Sequence, residues 1–171
     1  MPKMSSKENK NAYFQRREEL KLTRDQASEL LESIPPERIE KIENERVDPH
    51  PDEIMIMAEK YKAPELCNYY CSNQCPIGQQ YVPEVEIKDL SQIVLKMIDS
   101  LNEVQDNQKR LINITSDGVI DDSEIEDFVD IQDKLEKISI TIEALQLWSE
   151  QMIANGSINM EKYQECRNNK K

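Results

Sequence analysis

The stretch Leu22–Asn44 constrains the fold of this chain more than any other, because a pair of prolines divides it into two helix-forming segments. Thr23 is a good N-cap residue, and the helix formers that follow it place apolar side chains on one side. These side chains are Ala27, Leu30 and Leu31. The step Ile34-Pro35-Pro36 must interrupt this first segment, because proline is tolerated only in the first turn of a helix. The stretch therefore predicts two helices joined by a short turn.

The second of these helices begins at Pro36 and carries Ile39 and Ile42 inward. Its outward side is charged and consists of Glu37, Arg38, Glu40 and Lys41. Two helices joined in this way form a helix-turn-helix unit, and the second helix of such a unit can enter the major groove of DNA.

The same residues resemble those of lambda-repressor-type (XRE) transcription regulators of bacteria and phage. In that family a threonine caps the second helix, where this chain has Thr23, and an Ile-Glu-Asn run closes the third, where it has Ile42-Glu43-Asn44. The resemblance covers residues 11–72 and implies a five-helix domain that binds DNA. The chain departs from the family in its recognition helix, which holds glutamates where the family more often has Ser, Thr, Gln or Arg.

The resemblance also implies a set of DNA contacts at the starts of the second and third helices. The set consists of Arg24, Pro36, Glu37, Arg38 and Lys41, with Arg17 and Arg46 as flanking phosphate contacts. Its arginines and lysine suit guanine edges or phosphates. Glu37 and Glu40, by contrast, accept only from a cytosine amine and repel phosphates. The alternative is a helix-turn-helix fold that serves protein contacts through a surface of mixed charge.

The distribution of charge leaves the N-terminal end free to bind DNA. A net charge of −12 counts against nucleic-acid binding by the chain as a whole. Residues 1–63 contain 12 basic and 14 acidic side chains, however, whereas residues 64–171 contain 10 and 20. Residues 1–24 hold 7 basic and 3 acidic side chains. The acidic excess therefore lies away from the predicted DNA-binding end.

Composition and pattern predict an all-α chain in two parts. With 33% charged residues, three glycines and two phenylalanines, the chain favours helices over sheets. The first part, residues 11–72, has a first helix at Asn11–Leu20 with Phe14 and Leu20 inward, and further helices at Asp52–Tyr61 and Pro64–Cys71. Residues 73–87 contain two prolines and a glycine, and predict a linker.

Two long helices are predicted after the linker, from Lys88 to about Ile114 and from about Ser123 to Ile153. Each carries apolar residues at steps of three and four, which is typical of a heptad seam. The seam residues are Leu90, Val94, Met97, Leu101, Val104 and Leu111, then Phe128, Ile131, Leu135, Ile138, Ile142 and Leu145. We expect a long antiparallel, coiled-coil-like hairpin within residues 88–166 that pairs again between chains, as a homodimer through 88–153. Asn155-Gly156 should end the second helix as a left-handed cap.

Three cysteines, Cys67, Cys71 and Cys75, follow one another at intervals of four. Thiolates at this spacing can bind zinc or an iron–sulfur cluster, with Cys166 or His50 as a fourth ligand. Zinc sites usually pair their cysteines in knuckles, however, and only one cluster exists here. Free cysteine is also a common small apolar residue in cytosolic proteins. The pattern favours structural thiols, and we expect no cofactor.

The turn between the long helices, Asn113 to Glu124, resembles a calcium-binding EF-hand loop. Its oxygen-bearing residues are Asn113, Thr115, Asp117, Asp121 and Glu124, with Gly118 at the sixth position. Asparagine replaces the usual first aspartate, and threonine is a poor third ligand. Asp117-Gly118 also makes an ordinary turn, and the acidic residues that follow it suit the start of a helix. The second interpretation explains the same residues without an ion.

No arrangement of residues predicts catalysis. The single histidine, His50, lies in a proline-rich loop, and no glycine-rich phosphate loop exists. No apolar run reaches the length of a membrane span, and residues 1–21 are too polar for a signal peptide. We therefore expect a cytoplasmic transcription regulator that binds double-stranded DNA as a dimer, is not an enzyme and does not contact a membrane. The alternative is a helical protein-interaction module on the same scaffold.

Overall fold

The computed structural model describes residues 10–86, 89–106, 109, 112, 114 and 119–169. Over these residues it contains helices and no strand, which confirms the predicted all-α class. The helices are α1 Ala12–Glu19, α2 Arg24–Leu31, α3 Pro36–Glu43, α4 Pro51–Lys60, α5 Glu65–Asn73, α6 Gly78–Tyr81, α7 Leu90–Asp106, α8 Ile125–Ala154 and α9 Met160–Asn168. Within the described part of the chain, no helix has both the length and the apolar composition that crossing a membrane requires.

The chain divides into two compact units. The first unit comprises the residues up to Val82 together with those from Glu150 onward, and the second unit is Pro83–Ser149. This division differs from the predicted one, in which residues 73–87 are a linker and the second part continues to residue 166. The C-terminal residues belong with the first unit.

The core of the first unit forms where the apolar sides of α1 to α5 meet. Its buried members are Tyr13, Ala27, Leu31, Ile34, Ile39, Ile42, Ile54, Met57, Ala58, Tyr61, Ala63 and Leu66. The inward positions predicted for α3 are confirmed, since Ile39 and Ile42 are each 1% exposed. The predicted inward positions of Leu20 and Leu30 are wrong, because both side chains are 37% exposed. In α1 the inward face is instead built from Tyr13 and Arg17.

Side chains fix the starts of α1 and α2. The Oδ1 atom of Asn11 accepts from the Phe14 N–H at 3.1 Å, and its Nδ2 donates to the carbonyl of Ile42 at 2.7 Å. Asn11 therefore caps α1 and ties it to the end of α3. At α2, Thr23 Oγ1 accepts from the Gln26 N–H at 3.2 Å, and Gln26 Oε1 accepts from the Thr23 N–H at 2.9 Å. This reciprocal pair confirms the predicted N-cap.

Four helices, α1, α3, α4 and α8, end in the same left-handed turn. The left-handed residues are Lys21, Glu45, Lys62 and Gly156, with φ of 56°, 56°, 51° and 71°. At the end of α3 the Glu45 N–H donates to Ile42 at 3.1 Å and the Arg46 N–H to Lys41 at 2.9 Å, which is the Schellman pattern. The cap predicted at Gly156 is confirmed. The other three turns carry the strain that a side chain brings to this conformation.

The connection between α2 and α3 is strained as well. Glu32 has φ 62° and ψ −44°, and the Ser33 N–H donates to the Leu31 carbonyl at 2.6 Å, which together make a γ-turn of the rare positive-φ kind. Ile34 follows and is 2% exposed. Ser28 Oγ donates to the Ile34 carbonyl at 2.8 Å. The buried isoleucine and this hydrogen bond hold the turn against α2.

The segment after α5 is more ordered than the predicted linker. Helix α5 continues to Asn73, and α6 follows at Gly78–Tyr81. A Cβ atom on Gly78 would lie 2.0 Å from the carbonyl oxygen of Cys71, so this close approach of α6 to α5 requires glycine. The Gly78 N–H also points to Cys75 Sγ at 3.5 Å.

The second unit contains α7 and residues 125–149 of α8. Ile93 and Ser100 are buried on α7, and Ile131 and Thr141 on α8. The predicted seam is only partly covered, because Leu90, Leu101, Leu135 and Ile142 are 37%, 47%, 51% and 45% exposed. The covered line on each helix runs beside the apolar stripe rather than along its centre. Leu111, another predicted seam residue, lies outside the described residues.

Candidate nucleic-acid interface

Helix α3 presents a short polar face. Pro36 stands at its first position, where the missing N–H costs nothing, and Pro35 supplies the extended backbone before it. Ile39, Ile42 and Glu43 face the core, and Glu37, Lys41 and Asn44 are exposed. The outward face thus carries the Glu37 carboxylate and the Lys41 amine, which can each contact a base edge or a backbone atom. The Asn44 amide is also exposed, and its Nδ2 donates to the Glu40 carbonyl at 2.8 Å.

Arg38 is hydrogen-bonded to other residues of the first unit. Its Nε and Nη2 atoms donate to the two oxygens of Glu53, both at 2.7 Å, and Nη2 also donates to the carbonyl of Asp48 at 3.0 Å. These hydrogen bonds raise the pKa of Arg38 and lower that of Glu53. The sequence predicts a base or phosphate contact for Arg38, whereas the structure joins it to the start of α4.

Arg17 is buried at 4% exposure. Its Nε donates to Glu43 Oε1 at 2.5 Å, its Nη2 to Glu43 Oε2 at 3.1 Å and its Nη1 to the Leu22 carbonyl at 2.6 Å. The hydrogen bond to Glu43 raises the pKa of Arg17. Its Nη1 also donates to Glu18 Oε1 at 2.7 Å. The sequence predicts a phosphate contact for Arg17, but a buried guanidinium group with these three partners is not presented to a ligand.

Arg24 shares the same carboxylate but remains accessible. Its Nε donates to Glu43 Oε2 at 2.9 Å, and its side chain is 34% exposed. The ion pair fixes the base of the guanidinium group at the start of α2. About a third of the Arg24 side chain remains accessible, and Thr23, the preceding residue, is exposed.

Lys41 and Arg46 are the remaining predicted cations. Lys41 is exposed, and no ion pair to it occurs among the described residues. Arg46 is 65% exposed on its side chain, and its Nη1 lies 3.5 Å from Glu40 Oε1, a weak pair at the surface. The structure therefore leaves Arg24, Lys41 and Arg46 accessible out of the five predicted cationic contacts.

Two carboxylates that are absent from the predicted contacts decide which arginines are accessible. Glu43 is 3% exposed and accepts from two arginines, and Glu53 holds Arg38. Glu43 had a detectable signal, because it follows Ile42 and stands four residues after Ile39, on the inward side of α3. A carboxylate there needs a cationic partner. Glu53 carries no comparable signal, because an acidic residue in the first turn of a helix is ordinary.

The cysteines do not converge on a metal site. Cys67, Cys71 and Cys75 are half-buried, and Cys166 is exposed. Burial raises the pKa of Cys67, with Cys71 and then Glu150 adding to the effect. In the described ranges, no group of three or more Cys, His, Asp or Glu side chains is placed to hold a metal ion.

Only the end of the predicted calcium loop is described. Asn113, Thr115 and Asp117 lie outside the described residues. Asp121 Oδ1 accepts from the Ser123 N–H at 2.7 Å and its hydroxyl at 2.6 Å, which lowers the pKa of Asp121. Glu124 Oε2 accepts from the Asp121 N–H at 3.2 Å. These hydrogen bonds fit the interpretation of this segment as an acidic helix start. They occupy carboxylate oxygens of Asp121 and Glu124 that a calcium ion would require as ligands.

Comparisons with models of protein families, with curated proteins and with solved structures gave no match to this chain.

Proposed function

We propose that this chain is a cytoplasmic transcription regulator of a bacterium or mobile element. In this proposal α1 to α5 form a lambda-repressor-like domain, α2 and α3 are its helix-turn-helix unit, and α3 lies in the major groove of double-stranded DNA. The observation that carries the proposal is the two-sided character of α3. Ile39 and Ile42 anchor it to the core, while Glu37 and Lys41 are exposed. A helix anchored in this way presents its polar side without moving.

The proposed contacts are fewer than the sequence predicts. Lys41 and Asn44 would reach base edges or phosphates, with Arg24 and Arg46 on phosphates beside them. Pro36 and Glu37 would stand at the helix end nearest the bases. Arg17 and Arg38 support the fold of the same unit through Glu43 and Glu53.

The second unit would be the antiparallel helical hairpin through which two copies associate. Lys137 Nζ on α8 lies 3.4 Å from Glu103 Oε2 on α7. Ile93, earlier on α7, lines a cavity of 370 Å³ together with Ala144, later on α8. The earlier residue of α7 is thus near the later residue of α8, and the later residue of α7 is near the earlier residue of α8. This order supports an antiparallel pair. Two copies would place two recognition helices on successive major-groove faces.

The competing function is a protein-interaction module on the same scaffold. It is favoured by the ion pairs that Arg17 and Arg38 form with carboxylates inside the unit, because these arginines then do not contact DNA. It is also favoured by Glu37 and Glu40 on the outward side of α3, because DNA affinity depends largely on neutralising phosphates.

A matched pair of lysine substitutions separates the two functions. Retention of a random pool of double-stranded DNA fragments is measured between about 50 and 200 mM salt. For a DNA-binding chain, Lys41→Ala should weaken retention and lower the slope of log affinity against log salt by about one. Lys162 is an exposed lysine on α9, so Lys162→Ala removes the same charge from a different helix and should leave both unchanged.

A matched pair of glutamate substitutions tests the same interface in the opposite direction. Glu37 and Glu161 are both exposed and stand in the first turns of α3 and α9. Glu37→Gln should strengthen DNA retention, because it removes a carboxylate that repels phosphates, whereas Glu161→Gln should not. No retention at low salt by any of these proteins, or equal effects of the two members of each pair, would support the interaction module instead.

A further inference from the structure

The second unit leaves a strip of apolar side chains uncovered on each of its helices. On α7, Ile98 and Leu101 are 48% and 47% exposed. On α8, Leu135 and Ile142 are 51% and 45% exposed. The buried residues are Ile93 and Ser100 on α7, and Ile131, Thr141 and Leu147 on the part of α8 that belongs to this unit. Large apolar side chains at half exposure, beside a line that is covered, mark a surface able to bury more area.

The two uncovered strips lie on the same side of an antiparallel pair. At about 100° per residue, Leu101 lies roughly 90° from the direction midway between Ile93 and Ser100 on α7. On α8, Leu135 lies roughly 40° from Ile131 and roughly 120° from Thr141, in the same rotational sense. In two antiparallel helices that face each other, equal rotations from the contact line lead to the same side. Glu103 and Lys137, which pair at 3.4 Å, lie in the opposite sense on both helices, as this geometry requires.

This surface, here called the uncharged face, carries no Asp, Glu, Lys or Arg among its described residues. Its α7 positions are Leu90, Val94, Ile98, Leu101 and Gln105. Its α8 positions repeat at steps of four and three and are Phe128, Gln132, Leu135, Ser139, Ile142 and Gln146. Residues 83–149 otherwise contain 16 acidic and 6 basic side chains. Among the described residues of α7 and α8, charged side chains are therefore absent from one side.

The chemistry of this face fits a second copy of the chain. Two chains of net charge −12 repel each other, so they can pair only where no carboxylates meet. A basic partner, by contrast, would require carboxylates to pair with its cations, and this face has no carboxylates. Gln132, Ser139 and Gln146 each donate and accept, so each can pair with its own kind across a two-fold axis.

We propose that two copies of the chain associate through their uncharged faces and form a four-helix bundle, with Leu101, Leu135 and Ile142 at its centre. The inference rests on the proposed function, in which residues 88–153 mediate a homodimer, and assigns that role to one side of the hairpin. The apolar side chains that α7 and α8 leave exposed in one copy would be buried by the other copy.

The test compares charge insertions on and off the face. Leu101→Glu and Leu135→Glu place carboxylates on the uncharged face. Leu95→Glu and Val129→Glu make the same change at residues 67% and 48% exposed on the outer sides of α7 and α8. The mass of the full chain is measured by sedimentation equilibrium without DNA, and the helix content of each variant by circular dichroism.

We expect the unmodified chain and both outer variants to sediment at twice the 20.0 kDa of one copy. The two face variants should sediment as folded monomers, or their dimers should have a dissociation constant at least tenfold higher than that of the unmodified chain. A monomeric unmodified chain would overturn the proposal, as would face variants that remain dimers. Because no DNA is present, a chain that fails to retain DNA still tests the face, and a DNA-binding monomer would overturn the face alone.

Discussion

Arg17 and Glu43 join α1 to α3 through hydrogen bonds of 2.5 and 3.1 Å between side chains that are 5% and 1% exposed. Arg24, at the start of α2, donates to the same carboxylate at 2.9 Å. One buried glutamate therefore fixes the relative positions of the first three helices. It stands directly after Ile42, so it also orients the helix on which the proposed function depends.

Removing this carboxylate should destabilise the first unit strongly. Glu43→Ala leaves the buried Arg17 guanidinium with only the exposed Glu18 carboxylate, at 2.7 Å from Nη1, as a charged partner, which should cost about 3 kcal/mol in the free energy of unfolding. Replacing both residues by apolar ones of similar size, as in Arg17→Met with Glu43→Leu, should cost much less, because no buried charge remains. Urea unfolding of the full chain followed by circular dichroism measures both changes. A cost below about 1 kcal/mol for Glu43→Ala would contradict a buried ion pair.

Two buried tyrosines should respond differently to the loss of the hydroxyl group. The Tyr61 hydroxyl is buried and has no hydrogen-bond partner among the described residues, and burial followed by Glu43 raises its pKa to about 12. The Tyr13 hydroxyl donates to Gln74 Oε1 at 2.8 Å. Tyr61→Phe should leave the free energy of unfolding unchanged or slightly higher, whereas Tyr13→Phe should lower it by about 0.5–1.5 kcal/mol. Urea unfolding tests the pair, and the reverse order of stabilities would show that Tyr61 is the hydrogen-bonded residue.

Glycine should stabilise the left-handed end of α3. Glu45 has φ 56°, and glycine adopts this conformation without the strain that a Cβ atom causes. Glu45→Gly should therefore raise the free energy of unfolding by about 0.5–1 kcal/mol. Glu45→Ala removes the same charge but keeps the Cβ atom, so it should give a smaller gain. Gly156→Ala should cost about 1 kcal/mol through backbone strain alone, since no atom lies within 4 Å of the added carbon. Thermal and urea unfolding measure all three variants.

The pair formed by Arg38 and Glu53 should make stability depend on pH in the acid range. The hydrogen bonds from Arg38 lower the pKa of Glu53 below its ordinary value of 4.5. A carboxylate with a lowered pKa in the folded state contributes its full stability above the unfolded pKa and loses it as pH falls through the folded pKa. Glu53→Gln should therefore flatten the loss of stability below pH 4.5. Arg38→Gln should flatten it less, because the His50 N–H, which donates to Glu53 Oε2 at 2.7 Å, still lowers the pKa of Glu53. Urea midpoints at a series of acid pH values measure this, and an unchanged slope in both variants would contradict it.

The local features of the first unit were predictable because their causes lie close together in sequence. Thr23 caps α2 through Gln26, only three residues away, and Pro36 fixes where α3 begins. Gly156 ends α8 for an equally local reason, since glycine adopts positive φ without a penalty. The inward faces of α1 and α2 were predicted less well. Leu20 and Leu30, predicted to face inward, are each 37% exposed. The prediction fails there because both helices have only 8 residues, and apolar periodicity over two turns leaves the inward direction ambiguous.

By itself, the sequence determined that the chain is helical and where α2, α3 and the end of α8 stop or start, because these depend on caps, prolines and glycine acting over a few residues. Only the tertiary structure decided which cations are accessible. Arg17 meets its partner 26 residues away and Arg38 meets its partner 15 residues away, and no local pattern specifies such pairs. The same holds for the uncharged face. Heptad spacing predicts apolar stripes on α7 and α8, but which edge of a stripe is covered depends on how the helices pack.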